Sequence, residues 1–203
     1  MIDLTTPFLE KGEKVVCFGD SLTYGENSYV KYLQQLLPDN TFINAGRGGD
    51  KTPWALTRFQ SDVLDQKPDA LFILLGANDA AVGRECWADE PIVSSEAFRC
   101  NLVWMAHLCR LNGISKISIA TPFGMEGAAY TAHGDILRDY YQAARTAADD
   151  ARARLVPLDV LFCELRKGAP LSDCLITRDG LHPLAESHEH IARAIVKAWK
   201  MEK

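Results

Sequence analysis

Ala70-Leu71-Phe72-Ile73-Leu74-Leu75, followed directly by Gly76-Ala77-Asn78-Asp79, is the stretch on which the fold turns. Six apolar residues in a row leave no polar side for solvent, which is the pattern of a strand covered on both faces, as strands of parallel sheets are. The run is far shorter than the ~18 residues of a membrane-spanning helix, so no integral membrane segment is expected. Outward from it, residues 14–18, 41–44, 116–120 and 155–158 read as further strands, giving a sheet of about five.

Longer segments of helical period alternate with these strands. Residues 29–37 place Tyr29, Tyr32, Leu33, Leu36 and Leu37 on one face and stop before Pro38. Thr52 is expected to cap a second helix, with Pro53 at its first position and Trp54, Leu56, Phe59 and Val63 facing inward. Residues 95–111, 134–152 and 185–200 complete the set. Such alternation makes an α/β protein, a parallel sheet with helices on both faces. Two stretches without periodicity, 81–94 and 121–133, both follow strands, where α/β proteins build their sites.

With 203 residues, 47% hydrophobic and 24% charged, the chain reads as one globular domain over residues 1–203 that buries roughly 70% of its unfolded surface. A net charge of −5 has the wrong sign for affinity built on phosphate neutralisation, so nucleic acid is not an expected partner. Residues 1–7 carry neither a basic nor an apolar signal region. The six cysteines, Cys17, Cys86, Cys100, Cys109, Cys163 and Cys174, form no Cys-x-x-Cys pair. Free thiols in a cytoplasmic protein are therefore expected, a processed secreted form being the alternative.

Four short segments carry chemistry. Gly19-Asp20-Ser21-Leu22 follows the first strand, so Ser21 is expected at the sheet's C-terminal edge near a helix N-terminus, among unpaired N–H groups. In Asp179-Gly180-Leu181-His182-Pro183, a carboxylate and an imidazole three residues apart share one side of a turn. His182 can take the Ser21 proton through one ring nitrogen while Asp179 holds the other N–H and fixes the tautomer. The glycines of Asn44-Ala45-Gly46-Arg47-Gly48-Gly49-Asp50 permit a backbone N–H aimed into a cleft, and Asn78 adds a side-chain amide donor for a negative oxygen. Singly, each segment has an ordinary reading as a cap, a turn or a loop. Their order along one chain is what joins them.

Together the four blocks resemble the GDSL lipase/esterase family, also called SGNH hydrolases, from residue 18 to residue 183. The resemblance implies a flavodoxin-like three-layer α/β/α sandwich. It implies Ser21 as nucleophile, His182 as general base then acid, and Asp179 as its orienting partner. The Ser21 N–H, the Gly49 N–H and the Asn78 amide would form the oxyanion hole; Gly48 precedes Gly49 where the family has serine, and Gly46 lies close by. The Gly-x-Ser-x-Gly elbow of ordinary α/β-hydrolases is not met, because Thr23 stands where it needs glycine. The implied activity is hydrolysis of small or medium acyl esters through an acyl-enzyme, with a small-molecule ester as partner and no metal or organic cofactor. Alternatives are a lysophospholipase or acyl-thioesterase of the same family, acyl transfer to another alcohol, or a non-catalytic ligand-binding domain on the same fold.

Other side chains receive bland readings. Glu186, His188, Glu189 and His190 are expected to form a solvated, charge-paired helix face rather than a metal site. His107, beside Met105 and Leu108, is read as structural and His133 has no role. Cys17 is read as a small buried hydrophobe. Trp54, Trp87 and Phe123 are core residues or pocket walls.

Overall fold

The computed structural model describes residues 6–81, 91–123, 137–167 and 181–200. In it, β1 (Lys14–Gly19), β2 (Thr41–Gly46), β3 (Ala70–Leu74), β4 (Lys116–Ala120) and β5 (Arg154–Val156) make one sheet of order β2-β1-β3-β4-β5, with every neighbouring pair parallel. β3 lies at the centre and is buried along its whole length, as its unbroken apolar run demands. The helices are α1 (Tyr29–Leu36), α2 (Thr52–Thr57), α3 (Phe59–Asp62), α4 (Ala77–Ala80), α5 (Ser95–Leu111), α6 (Leu137–Asp150), α7 (Leu158–Arg166) and α8 (Ala185–Ala198).

The strand pleat sends successive side chains to opposite layers. Cys17 and Phe72 are register partners. On their face Phe72 meets Tyr29 of α1 and Trp199, just past α8, edge-on at 5.6 and 5.8 Å. One residue on, Phe18 meets Phe59 of α3 at 5.3 Å on the other face, where α5 packs against both α2 and α6. The result is the three-layer α/β/α arrangement that the alternation predicts. Trp199 is fully buried, stacks on Phe8 at 5.0 Å and donates its indole N–H to Ser118 Oγ at 2.9 Å, so one side chain fastens the N-terminal segment and the last helix to the sheet.

The structure departs from the sequence reading in the second half and in the second helix. β5 covers residues 154–156 rather than 155–158, because Pro157 has no N–H for the ladder and Leu158 opens α7, a helix the reading did not contain. The apolar Leu155–Leu158 run belongs half to a strand and half to a helix. Residue 58 splits the second helix into α2 and α3. Its N-cap is Lys51, not Thr52, which takes the first helical position. Of the two aperiodic stretches, only Ala81, residues 91–94 and residues 121–123 are described; Cys86, Trp87, His133 and Cys174 lie outside the described residues. Among the described residues no helix is long and apolar enough to cross a membrane.

Two features of the sheet position the site. Gly19 pairs with Gly46 on one side and Leu74 on the other, so β1, β2 and β3 end level. The winding reverses between β1 and β3, and a crevice opens at such a switch point outside the C-terminal strand ends. The turn after β1 lies directly on Gly46, whose Cβ, if it had one, would stand 2.3 Å from the Tyr24 nitrogen.

Candidate active site

Ser21 sits in a turn built by its neighbour. The Asp20 carbonyl accepts the Thr23 and Tyr24 N–H groups at 3.1 and 3.0 Å, and the Asp20 carboxylate accepts the Leu22 N–H at 2.9 Å. The Leu22 donor is thereby consumed, whereas the Ser21 N–H has no acceptor among the described residues. The expected helix N-terminus is not there: α1 begins at Tyr29, beyond Gly25 with its φ of 96°. The turn itself, not a helix dipole, presents the hydroxyl.

His182 reaches Ser21 from the far end of the chain, with its Nε2 3.1 Å from Ser21 Oγ. Leu181 is buried and anchors the segment, and Pro183 biases the backbone of the residue before it toward an extended conformation. That separation is a hydrogen bond, and a neutral imidazole there can accept the hydroxyl proton. Asp179 lies outside the described residues.

The loop after β2 contributes the third block. Residues 47 to 50 make a tight turn closed by Asp50 N–H to Arg47 O at 3.3 Å, with Gly49 at φ 81°. A type II turn requires that positive φ at its third residue, which favours glycine. The Gly49 N–H has no acceptor among the described residues, whereas the Gly46 N–H is taken by Asn44 Oδ1 at 2.9 Å. Of the two neighbouring glycines, Gly49 is thus the one with a donor to offer. Asn78, buried in α4, donates through Nδ2 to Asp50 O at 3.0 Å, leaving its second amide hydrogen for another acceptor. The blocks after β1, β2 and β3 and the block before α8 meet at one sheet edge.

Beneath them lies a buried set of charges. Asp20, Asp50, Lys51, Arg58 and Asp79 are all buried, with Thr52 and Asn78 among them. Asp79 accepts both the backbone N–H and the hydroxyl of Thr52, and Asn101 Nδ2 donates to the same hydroxyl at 2.9 Å. The acceptor at the start of α2 is therefore Asp79 of α4, whereas Thr52, expected to be the cap, is itself a donor to it. Burial pushes Asp79 up to about 6 against the Thr52 bonds. Burial also pushes Asp20 up to about 7, with the Leu22 N–H opposing and Asp79 and Asp50 adding repulsion.

The folded protein therefore binds the Asp20 proton more tightly than the unfolded chain does. The Asp20 contribution to stability is full below its ordinary value near 4 and is lost as pH rises to about 7. Asp20→Asn keeps an acceptor for Leu22 and removes the charge. Its stability relative to the parent should rise between pH 4.5 and 7.5 by on the order of a few kcal/mol, read as the difference in urea midpoints. A constant difference across that range contradicts the assignment.

The remaining sequence expectations divide. Glu186 and His190 are exposed and Glu189 pairs with Arg193 at 2.7 Å, as a solvated face should. His188 does not belong to that face. It shares the inward stripe with Ile191, Ala192 and Ile195, and burial, with His182 nearby, pushes it down to about 4. His107 is exposed and lies against the Trp104 ring at 5.3 Å. Cys17 is buried and its thiol is pushed up by burial, an inert environment. The sequence reading gave no role to Arg58, Asp50, Lys51 or Asp79. The one signal for Arg58 was a cation at a core-facing helical position between Asp50 and Asp62.

Comparison with known proteins places the chain among its relatives. The family model described as GDSL-like Lipase/Acylhydrolase family matches residues 17–190. Over 116 residues, 52% of this chain, the sequence is 44% identical to "Uncharacterized lipoprotein YqeF" of Bacillus subtilis (strain 168), and the match spans 46% of that relative, about half its length. It is 27% identical over 209 residues to the "Acetylxylan esterase" of Geobacillus stearothermophilus, covering 92% of this chain and 93% of the relative. The crystal structure of Axe2, an acetylxylan esterase from Geobacillus stearothermophilus, superposes with a TM-score of 0.82 at 23% identity over 95% of this chain and 96% of that one, a likeness of fold.

Proposed function

The chain belongs to the GDSL-like Lipase/Acylhydrolase family, and from that premise we propose that it is a serine esterase that cleaves small acyl esters through an acyl-enzyme. The observation that carries the proposal is the 3.1 Å approach of His182 Nε2 to Ser21 Oγ at the sheet's switch point. Ser21 Oγ attacks the ester carbonyl carbon while His182 takes its proton. The carbonyl oxygen, now negative, is met by the Ser21 and Gly49 N–H groups and the free Asn78 amide hydrogen. The intermediate collapses as His182 returns the proton to the departing alcohol. Water then attacks the acyl-serine, His182 again takes and returns a proton, and the carboxylic acid leaves with Ser21 restored. Asp179, three residues before His182, is assigned the second ring N–H. The domain is taken to span residues 1–203.

The relative named as an acetylxylan esterase supports an acetyl group on a sugar as the substrate class. Rates against nitrophenyl esters of increasing chain length test this, together with acetate release from acetylated xylooligosaccharides. The proposal predicts fast turnover of acetate and a steep fall beyond butyrate. Fastest turnover of long chains would move the protein to the lysophospholipase or thioesterase reading, and binding without turnover to a non-catalytic one. Free thiols at Cys17, Cys100, Cys109 and Cys163 support a reducing cytoplasm, whereas the relative named as a lipoprotein points to an exported form; cell fractionation separates the two.

A further inference from the structure

We infer that Arg58 is a positioning residue that holds the oxyanion-donor turn in register with the nucleophile turn, an inference that rests on the esterase reading above. Arg58 is only 8% exposed, and its guanidinium lies over the Phe18 ring at 4.3 Å. Nε donates to Asp50 Oδ2 at 2.5 Å, Nη1 to Ala45 O at 2.9 Å and to Asp62 Oδ2 at 2.8 Å, and Nη2 to Gly19 O at 2.8 Å. Three of these acceptors lead straight into the site. Gly19 is the last residue of β1, two before Ser21. Ala45 is one residue from the end of β2. Asp50 follows Gly49, and its carbonyl is the acceptor of the Asn78 amide. One planar cation therefore ties the ends of β1 and β2 to the residue that closes the Gly49 turn, and through it to Asn78.

The consequence for chemistry lies in the peptide between Gly48 and Gly49. This is the peptide unit that rotates when a type II turn becomes type I, and its N–H is the Gly49 donor. Glycine at both positions offers no steric resistance to that rotation. What resists it is the anchoring of Asp50 from two sides, by the Arg58 guanidinium on its carboxylate and by Asn78 on its carbonyl. The fork of donors is needed for this. Lysine in its place supplies one charge at one point and cannot span Asp50, Ala45 and Gly19 together. Arg58 touches no reacting atom, so its removal should weaken transition-state stabilisation and leave ground-state binding in place.

The test compares Arg58→Lys, Asp50→Asn and the double variant with the parent, using nitrophenyl acetate, with kcat expressed per site titrated by a fluorophosphonate so that misfolded protein is not counted. Each single variant should lose about 10- to 100-fold in kcat with KM within about twofold, and affinity for a boronic acid that mimics the tetrahedral intermediate should fall in parallel. The double variant should lose little more than the worse single one, because both act on one turn. Asp62→Asn removes the outward contact of the guanidinium and should leave kcat unchanged. If the parent is labelled at Ser21 and both single variants keep kcat within twofold, or lose KM and kcat together, the role of Arg58 is refuted while the esterase reading stands. If the parent is not labelled at Ser21, the esterase reading falls first.

Discussion

Ser21→Ala is expected to reduce kcat/KM for nitrophenyl acetate by on the order of 10⁴- to 10⁶-fold while the protein stays folded. The size follows from what the hydroxyl does. It is the atom that would form the acyl bond, and alanine at 21 leaves only solvent water, unaligned, as nucleophile. Folding should be untouched, because the one hydrogen bond of the Ser21 side chain among the described residues is to His182, and the turn is held by Asp20 through Thr23, Tyr24 and Leu22. Circular dichroism and the urea midpoint check the second half of the expectation. A variant retaining a tenth or more of parental activity would remove Ser21 from the chemistry.

His182→Gln should have an effect of the same order, because glutamine preserves a hydrogen-bonding side chain of similar reach and has no titratable nitrogen to take the proton. The two losses should not multiply. Nucleophile and base act as one unit, so the double variant should fall no more than a few-fold below the worse single variant. Activity of His182→Gln within about tenfold of the parent would point to a different base. His188, on the inward stripe of α8 and in electrostatic reach of His182, is the residue to vary next.

How much of this was legible before the fold was seen depends on the range of the interactions. Strands announce themselves locally: the apolar 70–75 run is a two-face burial pattern, and the observed β3 begins at the same residue and ends one earlier. The four blocks were legible because their residue types are rare in that order, and the structure brings Ser21, Gly49, Asn78 and His182 to one sheet edge. Local signals failed where a partner arrives from a distant part of the chain. Thr52 looks like a cap in sequence, yet its N–H and hydroxyl are held by Asp79, 27 residues on. Arg58 shows in sequence only a core-facing helical position, and its partners come from elsewhere in the chain, the Gly19 and Ala45 carbonyls near the ends of β1 and β2. His188 looks solvated beside Glu186 and Glu189, and only the seating of α8 on the sheet turns it inward. Pro157 was the overlooked local cue, since it ends β5 and starts α7 within three residues.

The central claim is that Ser21 carries an activated oxygen, and the most direct measurement of it is the site of covalent modification. The folded protein is treated with a fluorophosphonate, digested, and the adduct located by tandem mass spectrometry. The account predicts one equivalent of label on the peptide containing Gly19-Asp20-Ser21-Leu22, borne by Ser21 and absent in His182→Gln over the same exposure. A label on any other residue, or an unmodified Ser21 in protein that still hydrolyses esters, would contradict it.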